Sequence, residues 1–267
     1  PYIPEEFEDI KTYINNLKYH FFDNVDFNDE TLQSSSFLIE RMLNYVFGLA
    51  SETEDNTTVY KQNINAVFLA MKDANPVIKS TLLEVLWQQM VDSNFEEVAN
   101  YIADNYLIAL AEKLEDKELV DGLTLFKSLS IGNKAPDFSF EIEYNEQKIS
   151  QTLYGLNTAQ HYVIVFWSST CSHCLKEIPL LQSYIKTLET GKVQVVTIGL
   201  EDKPNRWQRE ILKYPEFIHV LGLGKWSFPL VQTYNVTTTP TYYVLDKDKK
   251  ISAKPYDFEA LKKFLEK

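Results

Sequence analysis

The sequence predicts two domains of different class, an all-helical domain over residues 1–128 and an α/β domain over residues 129–267. Apolar residues recur at spacings of three and four up to about residue 128, which is typical of amphipathic helices. Beyond that point Gly and Pro separate short apolar runs from further helical segments. With 267 residues, of which 45% are hydrophobic, the chain is long enough for two ordinary cores.

The N-terminal half consists of consecutive helical segments. Apolar residues at positions 7, 10, 14, 17 and 21 form one stripe, and similar stripes occupy 38–49, 60–71 and 78–90. Asn75 and Pro76 are the residue types expected at an N-cap and at the first helical position. These stripes predict the buried side of helices that form a common core.

The C-terminal half alternates strands and helices. Residues 138–142 alternate in polarity and, with 147–149 after Asn145 and Glu146, predict a hairpin. Residues 162–166 are continuously apolar, as in a strand buried on both faces. The remaining predicted elements are a helix over 173–189, a strand over 193–198, a helix over about 205–213, a strand over 217–221, a strand over 241–245, a strand at 251 and a last helix capped by Asp257. This order predicts a central mixed sheet with helices on both faces.

The charge balance excludes some partners. A net charge of −12 and a pI near 4.9 argue against nucleic acid and give no support to binding at an anionic membrane surface. No run of 18 or more apolar residues occurs, so no membrane-spanning helix is predicted. The chain starts at Pro1, without Met or a signal-like segment, which indicates trimming and leaves a removed leader or lipid anchor open.

The chain has two cysteines, Cys171 and Cys174, in the run WSSTCSHC over residues 167–174. An isolated Cys-x-x-Cys that follows an apolar strand and opens a helix is typical of a dithiol redox centre. Two thiols at this spacing can close a small disulfide ring. The unpaired N–H groups and the dipole of the helix N-terminus favour thiolate over thiol at the first cysteine.

A zinc site and a structural disulfide are two other interpretations of the cysteine pair. Zinc normally takes four ligands, and the sequence has no second cysteine pair while its other three histidines are scattered, so no metal site is predicted. A purely structural disulfide stays open, although so small a ring constrains the unfolded chain little.

Taken together, these motifs resemble the thioredoxin superfamily, and more narrowly the TlpA/ResA-like envelope thiol-disulfide oxidoreductases. The resemblance covers roughly residues 131–267. The residues that carry it are the strand 163–167 leading into Cys171-Ser172-His173-Cys174, Pro179, Ala135-Pro136-Asp137-Phe138 and Thr239-Pro240. The helical half resembles an uncharacterised helical domain found fused to such modules, which implies no activity.

The position of each cysteine and the resemblance together assign roles. Cys171, the more exposed thiol, is expected to attack a substrate disulfide, and the deeper Cys174 to resolve the mixed disulfide. The resemblance implies that Trp167 shields the site and that Pro240 is a cis-proline lying against the disulfide. Thr239 would then offer its backbone N–H and C=O to an extended substrate segment.

Two further residues are expected to tune the thiols. A cationic or hydrogen-bonding His173 would stabilise the thiolate and make the pair more oxidising. Glu177 lies three residues after Cys174 on the same helix face. Thioredoxin keeps a buried acid six residues before its first cysteine, where this chain has Val165, and the ResA-like branch uses a glutamate at the position of Glu177. We therefore expect Glu177, with a pKa raised by apolar surroundings, to manage the proton of Cys174; solvated helix residues are the alternative for both His173 and Glu177.

The expected function is thiol-disulfide exchange with protein substrates in the periplasm or cell envelope, fed by an upstream thiol electron donor and without a cofactor. The family implies a reductant, whereas His173 favours an oxidant or isomerase. A thiol peroxidase is one alternative, because peroxiredoxins share the fold and the Ala-Pro-Asp-Phe entry, but Ser168 stands where they need Thr. A partner-binding module that uses the helical half is another.

Overall fold

The protein divides into two compact units, Pro1–Thr124 and Leu125–Lys267. The computed structural model describes residues 7, 9–50, 55–144 and 147–267. The division falls inside a helix, Lys117–Ser128, slightly before the domain boundary expected after residue 128. The reason is that Leu125, in the last turn of this helix, packs against the core of the second unit.

The first unit is helical, as the sequence predicted. Its helices are α1 (Ile10–His20), α2 (Glu30–Gln33), α3 (Phe37–Leu43), α4 (Asn56–Ala70), α5 (Pro76–Asp92), α6 (Glu96–Ile102), α7 (Ile108–Lys113) and α8 (Lys117–Ser128). π-Helical turns at Asn44–Gly48 and Ala103–Leu107 continue α3 and α6. Within the described part of the chain, no helix combines the length and the apolarity needed to cross a membrane.

Hydrogen bonds explain the start of α5 and support the first π-helical turn. The Asn75 side chain accepts from Val77 N at 2.9 Å and Pro76 occupies the first helical position, which confirms the predicted start of α5. The buried amide of Asn63 donates to the carbonyls of Tyr45 and Val46 at 3.3 and 3.0 Å. Carbonyls displaced by the π-helical turn therefore find a partner inside the core.

The apolar stripes of the first unit are buried to different degrees. Ile64, Val67, Leu82, Leu86 and Met90, from α4 and α5, are at most 3% exposed and form core, as expected. The stripe of α1 differs, because no residue within that helix is buried and Ile10 is 45% exposed. Helical periodicity shows which face of a helix is apolar, but the depth of burial depends on the neighbouring elements.

The second unit mixes strands and helices. Its elements are β1 (Ser139–Tyr144), β2 (Gln147–Thr152), β3 (His161–Trp167), α9 (Cys174–Ile185), β4 (Val193–Glu201), α10 (Pro204–Ile211), β5 (Ile218–Leu223), α11 (Pro229–Thr233), β6 (Thr241–Asp246), β7 (Ile251–Ala253) and α12 (Phe258–Leu265). The predicted hairpin is present as antiparallel β1 and β2, and its turn at Asn145 and Glu146 lies outside the described residues. The short helix α11 was not predicted.

The central sheet has the strand order β5-β4-β3-β6-β7. Strand β3 pairs in parallel with β4 and antiparallel with β6, so the sheet is mixed, as predicted. The two central strands β3 and β4 have almost continuous buried runs because neighbouring strands and packed side chains cover them on every side. The carboxyl ends of β3, β4 and β5 and the start of β6 lie at one edge of the sheet.

Separate cores cover the two faces of this sheet. On one face Val163, Val165 and Trp167 from β3 pack with residues of α9 and α12; we call this the α9 face. On the other face Tyr162, Ile164 and Phe166 pack with Phe138, Leu153, Tyr234 and neighbouring residues; we call this the hairpin face. Alternate residues of each strand point to opposite faces, so β3 contributes to both cores.

Candidate active site

The two cysteines lie where β3 passes into α9. Residues 162–167 of β3 are buried, residues 168–173 form the connection, and α9 begins at Cys174. Both thiols are free. Because β3 is a central strand packed on both faces, it places this connection at the sheet edge that also carries the start of β6.

Cys171 is the accessible thiol, and hydrogen bonds surround its sulfur. The Cys174 N–H donates to Cys171 Sγ at 3.3 Å, and Cys171 Sγ lies 3.4 Å from the carbonyl oxygen of Thr239. Burial disfavours the Cys171 thiolate. Hydrogen bonds from the Cys174 thiol and N–H, with smaller contributions from Thr239 and the His173 N–H, outweigh it and lower the pKa of Cys171. Cys171 is therefore the better nucleophile of the pair.

Cys174 is fully buried in the core of the α9 face. Burial, and then the hydrogen bond to Cys171, raise the pKa of Cys174 to about 12. A thiol in this environment keeps its proton at neutral pH unless a nearby base removes it. The two cysteines therefore differ in both access and acidity, although only two residues separate them.

The segment opposite the cysteines belongs to the start of β6. The Thr239–Pro240 peptide bond is cis, as the sequence analysis expected, and both residues are half-buried. The Thr239 carbonyl faces Cys171 Sγ, and the Thr241 hydroxyl donates to the Thr238 carbonyl at 2.7 Å. A backbone carbonyl thus lies against the Cys171 sulfur from a segment 68 residues further along the chain, just before β6.

Trp167 and His173 flank the motif in different environments. Trp167 is 0% exposed at the end of β3, and its ring meets that of Tyr214 edge to face with centroids 6.5 Å apart. It therefore supports the loop from within the core. His173 is exposed and precedes the first residue of α9. Its backbone N–H makes one of the smaller contributions that lower the pKa of Cys171.

Glu177 is half-buried on α9 and joins two other elements. Its Oε2 accepts from the Tyr242 hydroxyl at 2.7 Å and from the Phe258 N–H at 3.0 Å. Phe258 is the first residue of α12, so Glu177 satisfies an N–H group that the helix itself leaves unpaired. The carboxylate is thus held in one place between β6 and α12, one helical turn beyond Cys174.

Two buried polar residues of the site were not predicted from the sequence. Glu201, at the end of β4, is 2% exposed and accepts from the N–H of Ser169, in the loop before Cys171. Tyr242, on β6, is 1% exposed and bonds Glu177. An acid at the end of an otherwise apolar strand is a signal for Glu201, whereas Tyr242 looks like an ordinary strand aromatic. Throughout the described residues, His, Cys, Asp and Glu side chains do not gather in a group of three or more able to hold a metal ion.

Comparisons with known proteins agree with this architecture. Residues 131–254 match the model of the AhpC/TSA family. Sporulation thiol-disulfide oxidoreductase A of Bacillus subtilis (strain 168) is 28% identical over 121 residues, which are 41% of this chain and 69% of that protein.

Two solved structures are also similar to this chain. A thioredoxin-like protein from Bacteroides caccae ATCC 43185 is 20% identical, covers 100% of this chain and 96% of its own, and has a TM-score of 0.49. A domain titled "possible thiol-disulfide isomerase" from Cytophaga hutchinsonii ATCC 33406 is 30% identical, covers 51% of this chain and 90% of its own, and has a TM-score of 0.42. The family match and the curated relative support a place for the part of this chain that contains the cysteine pair in the thioredoxin superfamily, among the thiol-disulfide oxidoreductases.

Proposed function

We propose that the protein exchanges disulfides with protein substrates through Cys171 and Cys174. The observation that carries this proposal is the asymmetry of the two thiols. Cys171 is accessible with a lowered pKa, whereas Cys174 is fully buried with a pKa raised to about 12. Dithiol exchange needs one sulfur that attacks an external disulfide and a second that is protected until the mixed disulfide has formed.

The proposed reaction consists of two thiol-disulfide exchange steps. The Cys171 thiolate attacks one sulfur of a substrate disulfide, the substrate S–S bond breaks, and one substrate thiolate leaves. Cys174 then loses its proton and attacks Cys171 Sγ. The bond between Cys171 and the substrate breaks, and the substrate leaves fully reduced while the protein holds the Cys171–Cys174 disulfide. An upstream dithiol donor would return the pair to the reduced state.

Glu177 is the proposed acceptor of the Cys174 proton. It lies one turn along α9 from Cys174, and its carboxylate is fixed by Tyr242 and Phe258. A carboxylate held in a fixed position near a thiol is suited to act as a general base for that thiol. The Thr239 backbone, beside Cys171 Sγ, is the proposed contact for an extended substrate segment.

The direction of electron flow is proposed to be reductive, in the periplasm or cell envelope. A buried resolving thiol with a high pKa contributes little thiolate stabilisation to the reduced form, unlike the strongly oxidising members of the class. His173 is exposed and lies between the two cysteines. A hydrogen bond or positive charge from its imidazole would favour an oxidant, so the reduction potential decides between the two directions.

The first test is the reduction potential of the Cys171–Cys174 pair, measured by equilibration in glutathione or dithiothreitol buffers, thiol alkylation and intact-mass analysis. A value near or below about −250 mV supports a reductant. A value of about −120 to −180 mV supports an oxidant or isomerase. If no intramolecular disulfide forms at any poise, dithiol exchange is wrong and partner binding by the whole chain becomes the better hypothesis.

A peroxidase assay tests the alternative that the protein is a thiol peroxidase. Ser168 lies three residues before Cys171, and its hydroxyl is 2.9 Å from that of Thr170. Consumption of peroxide that is faster than reduction of a protein disulfide such as insulin would favour a thiol peroxidase. The matched control is Cys174→Ser, because a peroxidatic Cys171 would still be oxidised by peroxide in that variant, whereas catalytic disulfide exchange would stop.

A further inference from the structure

We propose that Tyr242 is a positioning residue for the resolving step: it holds one oxygen of Glu177 so that the other stays available for the proton of Cys174. This inference rests on the proposed function, because it matters only if Cys174 resolves a mixed disulfide. It assigns a role in that step to a tyrosine that the sequence presents as an ordinary residue of a buried strand.

The first support is the geometry at the Glu177 carboxylate. The Tyr242 hydroxyl, 2.7 Å from Oε2, reaches across from β6 to α9 between residues 65 apart in sequence. The Phe258 N–H, 3.0 Å away, ends on the same oxygen. Among the described residues, no hydrogen bond ends on Oε1. Both donors therefore engage one carboxylate oxygen and leave the second without a competing partner.

The second support is that Tyr242 packs in the same core as the resolving thiol. Tyr242 and Cys174 both belong to the buried cluster on the α9 face, and they are 1% and 0% exposed. Glu177, Cys174 and Asp257 are the charged or titratable groups that act on the Tyr242 hydroxyl. The tyrosine thus contacts the carboxylate in the apolar environment that keeps Cys174 protonated.

The third support is the protonation state of the tyrosine. Burial, followed by the hydrogen bond to Glu177 and the negative charges of Glu177, Cys174 and Asp257, raises the pKa of Tyr242. The hydroxyl therefore keeps its proton and acts as a donor over the whole working pH range. The Tyr242 hydroxyl can therefore hold Glu177 Oε2 by donation at every working pH.

The resolving step then balances as follows. The proton of Cys174 Sγ moves to Glu177 Oε1, and the Cys174 thiolate forms the S–S bond with Cys171 Sγ. The bond between Cys171 Sγ and the substrate sulfur breaks, and its electron pair leaves with the substrate as thiolate. Tyr242 forms and breaks no covalent bond in this step. It fixes Oε2 by hydrogen bonding, so that Oε1 is the oxygen that receives the proton.

The test uses Tyr242→Phe, which removes the hydroxyl and keeps the ring. Reduced protein is mixed with one equivalent of an aromatic disulfide whose released thiolate is coloured. The first release of colour reports attack by Cys171, and the second reports resolution by Cys174. We expect the acid limb of the second phase to move up by about one pH unit in the variant, which is about a tenfold slower resolution below that limb. The first phase keeps its pH profile.

Tyr243→Phe is the matched control. Tyr243 is the next residue of β6, is 5% exposed, and donates its hydroxyl to the Tyr234 carbonyl at 2.6 Å on the hairpin face. The Tyr243→Phe variant loses a buried hydroxyl that does not bond Glu177. The second phase of colour release should therefore keep the wild-type pH profile in this variant. Should Phe at position 242 prevent folding, Tyr242→Met carries the same expectation.

Glu177→Gln distinguishes failure of the proposed role of Tyr242 from failure of the proposed exchange function. If Glu177→Gln abolishes the acid limb and Tyr242→Phe leaves it at its wild-type position, the role of Tyr242 is wrong while the exchange mechanism stands. Equal shifts of the acid limb in Tyr242→Phe and Tyr243→Phe would also overturn the role of Tyr242, because loss of core stability would then explain both shifts. If wild type shows no second phase at all, the dithiol function itself fails. Adding Tyr242→Phe to Glu177→Gln should cause no additional shift.

Discussion

Each face of the central sheet carries a buried core, and the two cores differ in chemistry. Tyr242 and Tyr243 are neighbours on β6, and both are almost completely buried. On the α9 face Tyr242 donates to the carboxylate of Glu177, whereas on the hairpin face Tyr243 donates to the neutral carbonyl of Tyr234. Burial alone therefore does not distinguish the α9 face. That face differs because it holds a buried thiol, Cys174, and the Glu177 carboxyl group, which accepts from two donors.

The largest effect is expected on the α9 face from the cysteines themselves. Cys171→Ser should reduce disulfide exchange to background, because no accessible thiolate remains. Cys174→Ser should still attack substrate and should accumulate the mixed disulfide, because the resolving sulfur is gone. Non-reducing gels and intact mass after mixing with oxidised insulin measure both. Full turnover by either variant would contradict the two-thiol mechanism.

A core truncation on the hairpin face should affect stability without affecting redox chemistry. Phe166 is 0% exposed on that face, with its ring centroid 5.3 Å from that of Tyr234. Phe166→Ala should lower the free energy of unfolding by about 3–5 kcal/mol, because it removes buried apolar surface and leaves a cavity. Urea unfolding measures this loss, and the reduction potential of the folded variant should stay at the wild-type value. A large shift in potential would show that the two faces are coupled.

The pH dependence of alkylation should distinguish the two thiols within the α9 face. The rate of Cys171 alkylation should rise with pH and level off at a pH below the pKa of an ordinary thiol, because the pKa of Cys171 is lowered. Cys174 is buried with a pKa of about 12, so it should stay unmodified while the protein is folded. Peptide mass mapping after timed iodoacetamide treatment measures both.

Cys174→Ala supplies the control for that profile. Loss of the Cys174 thiol removes a hydrogen bond that lowers the pKa of Cys171, so the Cys171 profile should move to higher pH. If the variant kept the wild-type profile, hydrogen bonding from the Cys174 side chain would not be a cause of the low pKa.

The smallest effect is expected at the far end of the same face, where two acids satisfy the start of α12. The Asp257 side chain accepts from Ala260 N at 2.8 Å, and Glu177 accepts from Phe258 N. Asp257→Ala should lower the free energy of unfolding by about 1 kcal/mol through loss of the N-cap. Chemical denaturation measures this change. A loss several times larger would show that Asp257 also holds the Glu177 network together.

Much of the fold followed from local sequence signals. The continuous apolar run of β3, the hairpin and the capped starts of α5 and α12 were predicted at or near the positions that the structure shows. Each of these features depends on residues that lie close together in the sequence. The short helix α11 and the π-helical turns were not predicted, because their patterns are too short or too irregular for periodicity to detect.

The dithiol motif, the class of both domains and the strand and helix that present Cys171 and Cys174 were all predictable from the sequence. Three contacts were not: the Thr239 carbonyl lies against Cys171, Glu201 accepts from the loop before Cys171, and Tyr242 donates to Glu177. The physical reason is the range of the interactions. A motif and its local hydrogen bonds lie within a few residues, whereas these three contacts join residues separated by 32 to 68 positions, which only sheet pairing and core packing bring together.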